Sequence, residues 1–553
     1  MNFSKKQQNK IILTVLSIVF FVGSAIFLYQ AIWLPAVVDS RQFIFNWPDE
    51  MSNNFFANHF AETGSFRYTQ NENALFDNVI HPRSSNVLPN GDLVPVGFLG
   101  FVWLVGILAK IFWTHSFLLF LLVPFLAVMT VWFFYGFCKN IFGEKIAFGS
   151  AVLLFFFAPF LYFANFAMLP NLIFLFFLIF TFYGITKVAN SNFIWPALTG
   201  LGLGMTLFVR PADVSFLLIL LPLFYYYFGK DWRASQIYWL AIFFLIPILQ
   251  MLFLNDQTYG QIFDFGYMKF NSSANLTDRL PAEIVLTKNN QFLNYLQLIF
   301  FPFGFHPRLA WHNFWQYSVQ LLWPLFIFAT AGFFYQRKYF DKKNIFFVLL
   351  AVVSGAWLHL FYGSWDFVDP IVKTNNLLSI SYVRYFLPST ILLLPFVVMF
   401  LVKISEKKHL RVFKDILLGI IFLSIIAFNL RMVYFSPNDG LLAVKNRLRE
   451  YAEIRSELTR AAVIGSLIII DNADKMIWPE FNVVPFNNDY NIFEKLANGM
   501  NDFSFPIYYL TYRTEGEIAK INENLRKKNL PEWFFDKKLG HEYMLWKLQK
   551  VHK

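Results

Sequence analysis

The chain has 553 residues, of which 57% are hydrophobic, 21% aromatic and only 15% charged. Soluble domains carry about 25% charged residues, and a core surrounded by water cannot absorb so much apolar surface, so lipid is the solvent for most of this chain. The formal net charge of +11 would suit nucleic acid, but the basic residues sit in short segments between hydrophobic runs, the pattern that sets membrane topology, and nucleic acid is excluded as a partner.

The first element is announced by Lys5, Lys6 and Lys10, which precede an apolar run over residues 11–38. That run is too long for a signal-peptide core and has no small-residue cleavage site, so it reads as a retained membrane helix. A polar loop follows from Asp39 to about Ser116, and inside it residues 94–113 are apolar but interrupted by glycines and by Lys110. Charge arithmetic decides how this stretch lies. If it rests on the outer surface, the next span, 117–137, ends in the cytoplasm at Lys139 and Lys145. The later short basic loops then fall on that same side: Lys187, Lys230 with Arg233, Arg337 to Lys343, and Lys403 to Arg411. If it spans, every one of them faces away from the basic N-terminus, against the positive-inside rule. The interfacial reading is adopted.

A spanning helix needs about 20 mainly apolar residues. With that ruler the remaining spans are 146–162, 172–186, 193–208, 214–228, 238–254, 315–334, 345–362, 388–402 and 416–434, giving eleven in all. The outer loops include residues 163–171, 255–313 and 363–387. A second apolar stretch, 293–305, is broken by Pro302 and Gly304 and is placed along the surface. The single cysteine, Cys138, excludes an intramolecular disulfide and reads as a packing residue. No internal repeat of 20–50 residues is evident.

After Phe435 the composition changes. Lys and Glu return at helical spacing over 441–460. The run Leu467-Ile468-Ile469-Ile470 reads as a strand, 507–512 as another, and 515–528 as a helix. The sequence therefore predicts a polytopic α-helical transmembrane domain, 1–435, and a small extracytoplasmic α/β domain, 436–553. The N-terminus is placed in the cytoplasm of a cell with the protein in its plasma membrane.

The stretch richest in chemistry is Asn46-Trp47-Pro48-Asp49-Glu50, just beyond the first helix. One reading is local: Pro48 ends an extended segment, and Asp49 caps the helix that begins there, its charge favourable to the helix dipole. The other reading is functional: a carboxylate at the membrane surface is placed to accept a proton from an acceptor hydroxyl.

The continuation, Asn53-Asn54-x-x-Ala57-x-x-Phe60-Ala61-x-x-Gly64, resembles the first outer loop of the GT-C superfamily of glycosyltransferases, which includes the protein O-mannosyltransferases and the aminoarabinose transferases. Three later stretches agree with it. Gly200-Leu201-Gly202-Leu203-Gly204 followed by Arg210-Pro211 is similar to that superfamily's glycine-rich helix with a basic residue at its end. Asn255-Asp256-Gln257-Thr258-Tyr259-Gly260, then Gly266-Tyr267, is similar to a loop of many bacterial members, and Tyr382-Val383-Arg384-Tyr385-Phe386-Leu387-Pro388 to the entry of a late helix. The resemblance covers about residues 1–435.

What the resemblance implies is a GT-C-like membrane fold and transfer of a sugar from a polyprenyl-phosphate donor to a glycan, lipid or protein acceptor. Asp49 becomes the base and Glu50 its supporting carboxylate. The departing phosphate calls for fixed cations, and the arginine fork suits phosphate oxygens. Arg384 and Arg210, with Tyr385, are assigned to it first; Arg83 and Arg308, each in a His-Pro-Arg tripeptide, come second. Any one of these arginines has the alternative of snorkelling to lipid headgroups. His81, Tyr267 and Asp366 are assigned to the acceptor side. Many relatives carry an acidic residue in the second outer loop, where this chain has Asn165. No cofactor is assigned; a divalent metal ion stays open as an alternative, but it needs several oxygen ligands and that loop does not supply the charged one.

Two other classes compete. A transporter or flippase of lipid-linked glycans would show repeats and midplane charges, whereas the charges here lie at helix ends. A non-catalytic envelope scaffold would use only the C-terminal domain.

Overall fold

The computed structural model describes residues 4–37, 42–268, 299–366, 377–406, 411–486, 488–499, 503–540 and 542–548. Asp39 and the first part of the 293–305 stretch lie outside the described residues. Two compact units divide the chain. One takes in Met1–Ile26, Leu121–Met251 and Asp278–Ala443, the other Phe27–Phe120, Leu252–Thr277 and Val444–Lys553.

The first unit is helical and built for a membrane. Among the described residues, seven helices of the chain are long and apolar enough to cross a bilayer, and nine if two bent pairs each count as one crossing. Within the described residues the eleven predicted spans fall on helical segments, but four of them are not simple rods. The 146–162 span is broken into Glu144–Phe156 and Ala158–Phe163, with Phe157 extended between them. Pro159 explains the break, because it offers no N–H to continue the ladder. The Asn429 side chain instead accepts the Ala158 N–H at 2.8 Å. The spans at 193–208 and 214–228 form one pair bent by 115° at Arg210-Pro211, and the 315–334 span belongs to a pair, Pro307–Gln320 and Trp323–Tyr339, bent by 90°.

Helix packing here depends on missing side chains. In lipid there is no hydrophobic drive to bring helices together, so close backbone approach must supply the contact. A Cβ on Gly200 would sit 2.1 Å from the Leu240 carbonyl oxygen, and one on Gly204 would sit 2.5 Å from that of Phe244. The two glycines, one turn apart, therefore form the face on which the Ala234–Tyr259 helix lies. The glycine-rich motif is a packing device that fixes where Arg210 emerges.

The second unit contains both sheets. β1 (Ser85–Val87) and β2 (Leu93–Pro95) form an antiparallel hairpin, with Ser85 opposite Pro95. The 94–113 stretch enters on that hairpin and continues as the helix Leu99–Phe112, whose 14 residues span about 21 Å and fall short of a bilayer core of ~30 Å. The larger sheet has the order β4-β3-β5-β7-β6, from β3 (Leu467–Ile470), β4 (Asn482–Pro485), β5 (Ile507–Thr511), β6 (Trp533–Leu539) and β7 (Tyr543–Leu548). β3 lies parallel to both β4 and β5, and β7 is antiparallel to β5 and β6.

The core of this larger sheet is not made by the C-terminal residues alone. Phe76, Val79 and Ile80 of the first loop are buried in the same cluster as Leu467, Val484 and Tyr509. The His81 N–H bonds the Val483 carbonyl at 2.9 Å, which extends the ladder at edge strand β4.

Candidate functional site

In the helical unit, the bend after the Ile194–Val209 helix delivers Arg210 into a buried aromatic and charged group. Its Nε pairs with Asp213 Oδ2 at 2.9 Å, and both side chains are nearly inaccessible, at 6% and 2% exposure. Nη2 donates to the Tyr362 hydroxyl at 2.6 Å, and that hydroxyl donates to Asp213 Oδ1 at 3.0 Å, closing a three-membered polar ring. The guanidinium also lies 5.0 Å from the Phe174 ring and 4.8 Å from the Tyr385 ring. A buried ion pair is stable only when such further contacts satisfy both partners.

Arg384 stands on the helix Ser381–Thr390 and is half-buried. It donates to the Ser381 hydroxyl at 3.1 Å, and its guanidinium lies 5.2 Å from the same Tyr385 ring. Tyr385 therefore serves two arginines from elements far apart in sequence. Two arginines and one aspartate thus gather around the Tyr362 and Tyr385 rings. The structure brings Arg210, Arg384 and Tyr385 together, as the sequence analysis grouped them.

Next to these aromatics, in the same unit, an apolar cavity of about 590 Å³ runs between helices. Phe314, Phe333, Val352, His359, Leu360 and Thr390 are among its walls. His359 packs on Phe386 at 4.0 Å, one residue beyond Tyr385. Arg308 lies in the first turn of the Pro307–Phe314 helix, exposed, and among the described residues no ion pair holds it. Asp366 is exposed at the end of its segment.

In the second unit, Asp49 is in the first turn of the helix Pro48–Thr63 but is not its cap. Trp47 occupies the cap position and supplies no side-chain capping bond, and Pro48 is the first helical residue. The Asp49 carboxylate instead accepts the Ser84 hydroxyl at 2.6 Å. Glu50, the next residue, is buried, with 1% exposure. Ser84 is held in left-handed backbone, φ 62°, and its carbonyl accepts the Ser52 hydroxyl at 2.7 Å.

Arg83, next in sequence, is gripped by Asp474. Its Nη2 and Nε lie 2.7 and 3.0 Å from Asp474 Oδ1, its backbone N–H donates to Oδ2 at 2.8 Å, and Nη2 also reaches the Asn472 carbonyl at 3.0 Å. His81 is half-buried with Nδ1 at 3.0 Å from the Pro82 carbonyl, and desolvation lowers its pKa below the ordinary imidazole value. Tyr267 is 47% exposed and packs on Phe98 at 5.1 Å.

Sequence reasoning missed Asp213, Tyr362 and Ser84. Asp213 had a local signal, since it stands three residues after Arg210 across a proline. The others are set by folding alone. Among the described residues, no group of three or more His, Cys, Asp or Glu side chains could hold a metal ion.

No family model matches the sequence, and no curated protein matches it. Solved structures do. ArnT from Cupriavidus metallidurans bound to undecaprenyl phosphate matches with a TM-score of 0.52 at 9% identity, over 97% of each chain. The fold is GT-C-like. An oligosaccharyltransferase from Archaeoglobus fulgidus in complex with zinc and sulfate also matches, with a TM-score of 0.50 at 12% identity, over 95% of this chain and 72% of that one. At such identities the likeness is one of fold, and the GT-C-like frame is what the sequence resemblance implied.

Proposed function

We propose that the protein is a membrane glycosyltransferase that moves a sugar from a polyprenyl-phosphate donor to an acceptor hydroxyl on the extracytoplasmic side, with inversion. The observation that carries this reading is the pair Arg210 and Arg384 on the shared Tyr385 ring. A fixed cationic group at helix ends, preorganised by aromatic packing, suits an oxygen on which charge develops. The neighbouring apolar cavity has the chemistry to take the carrier chain.

In this reading the acceptor oxygen attacks the anomeric carbon and its proton passes to Asp49. The bond from that carbon to the phosphate oxygen breaks, and the electron pair leaves with the polyprenyl phosphate. Arg384 meets that phosphate directly. Arg210, with Asp213 and Tyr362 around it, keeps Tyr385 and the cationic field in place. A single displacement without a covalent sugar–enzyme intermediate inverts the centre.

The test uses the purified full chain in lipid with a radiolabelled polyprenyl-phosphate sugar. Transfer to acceptor supports the enzyme; vectorial movement without transfer supports a flippase; neither supports a scaffold. Asp49→Asn should abolish transfer while leaving donor binding intact, and Arg384→Ala should lower the rate roughly 100-fold or more. Full activity of Asp49→Asn would remove the base.

A further inference from the structure

We infer that the C-terminal sheet domain positions the reacting carboxylate of the first loop, and that Asp474, Arg83 and Ser84 are the positioning residues that connect it to Asp49. The inference rests on the reading of Asp49 as the base. It begins from the helix start, where the cap position supplies no side-chain capping bond, so capping does not orient the Asp49 carboxylate. Something else must hold Asp49, because a reacting group displaced by about 1 Å can lose ~100-fold in rate.

One set of such contacts runs from the C-terminal sheet domain. Asp474, completely buried, receives both the backbone N–H and the side-chain fork of Arg83, so it fixes the main chain as well as the guanidinium. Ser84 follows directly and is thereby presented in left-handed backbone, with its hydroxyl 2.6 Å from Asp49. The neighbours of Asp474 grip the other side of the same helix start. Lys475 Nζ donates to the Asn46 carbonyl at 2.8 Å, and the Trp478 carbonyl accepts from Gln42 Nε2 at 2.9 Å. The Trp478 ring packs 4.0 Å from Phe55, on the second turn of the helix. Residues 474–478 thus bind the chain before, within and opposite the first turn that bears Asp49. This assigns Arg83 to the carboxylate's support and not to the donor phosphate.

The experiment compares Arg83→Lys, Ser84→Ala, their double variant and Asp49→Asn in the full-length protein in lipid, reading kcat, KM for the lipid-linked donor, and thermal stability. Lysine keeps the charge but cannot reproduce the fork. Both single variants should lower kcat roughly 10-fold to 100-fold, with KM for the donor and the melting temperature unchanged. The double variant should be no slower than Ser84→Ala alone, because the two act through one path. Should Arg83→Lys fail to fold, Ser84→Ala decides by itself, since it removes only a half-buried hydroxyl. Wild-type kcat in either single variant, with Asp49→Asn inactive, overturns the positioning role and leaves the base in place. A joint fall of kcat, donor affinity and melting temperature overturns it too, in favour of a merely structural contact. Activity in Asp49→Asn overturns the base itself, and the positioning role with it.

Discussion

The ring of Tyr385 lies nearly parallel to that of Tyr362, 4.5 Å away and tilted by 18°. Because Tyr362 is also bonded to both Arg210 and Asp213, this stack ties Arg384 to a buried ion pair. Arg384, proposed to meet the donor phosphate, is therefore aligned by a ring whose own position is fixed by the Arg210–Asp213 pair.

Tyr385 should then matter through its ring more than through its hydroxyl. Tyr385→Ala removes a stacked pair and two cation–ring contacts, together about 1.5–3 kcal/mol, so affinity for polyprenyl phosphate should fall at least ~10-fold. Tyr385→Phe keeps the ring and should remain within about threefold of wild type. Equilibrium binding of polyprenyl phosphate to the two variants measures the difference, and equal losses would show that the hydroxyl, not the ring, is what counts.

Asp213 should be a stability residue first. Replacing it with Asn leaves Arg210 buried beside a neutral amide, and breaking a buried pair from one side costs about 3–5 kcal/mol. The double variant Arg210→Met/Asp213→Leu removes both charges and should melt closer to wild type than Asp213→Asn does. It should nonetheless transfer sugar poorly, because the field that Arg210 supplies is gone. Thermal unfolding in detergent, paired with the transfer assay, separates the two effects.

Much of this fold could be read from hydropathy because lipid leaves so few choices: a run of apolar residues must be helical, whatever its detailed sequence. The breaks were harder. Phe157 and the bend at Arg210-Pro211 depend on where a proline meets a neighbouring helix, and a window of mean composition averages over that. In the sheet domain, β3 and β5 announced themselves by β-branched and aromatic runs. β4, β6 and β7 did not, since β6 reads Trp-Phe-Phe-Asp-Lys-Lys-Leu, with its five central residues exposed. The candidate site divides in the same way. Asp49, Arg210 and Arg384 stood in motifs, whereas the Arg83–Asp474 pair joins residues 391 positions apart and has no local signature.

Gly200 should tolerate no side chain. A Cβ there meets the Leu240 backbone oxygen at 2.1 Å, and a backbone atom cannot swing aside as a side chain can. Gly200→Val forces the Ala234–Tyr259 helix away and should destabilise the protein by about 3 kcal/mol or more, beyond ordinary overpacking of a core. Gly355, whose Cβ would meet nothing within 4 Å, is the control: Gly355→Ala should leave the melting temperature unchanged or raise it.

The sheet-bearing unit should lose stability on mild acidification, with His81 as one cause. Burial lowers the pKa of this imidazole in the folded protein, while the unfolded chain keeps the ordinary value near 6.5. Below that pH the unfolded state binds a proton that the folded state resists, so the contribution is present at neutral pH and declines as pH falls from about 6.5 toward the lowered folded value. His81→Gln keeps a hydrogen-bonding side chain but has no proton to gain in this range. Its melting temperature should therefore fall less between pH 7 and pH 5 than that of the wild type, and parallel pH profiles for the two proteins would show that His81 plays no part in the acid response.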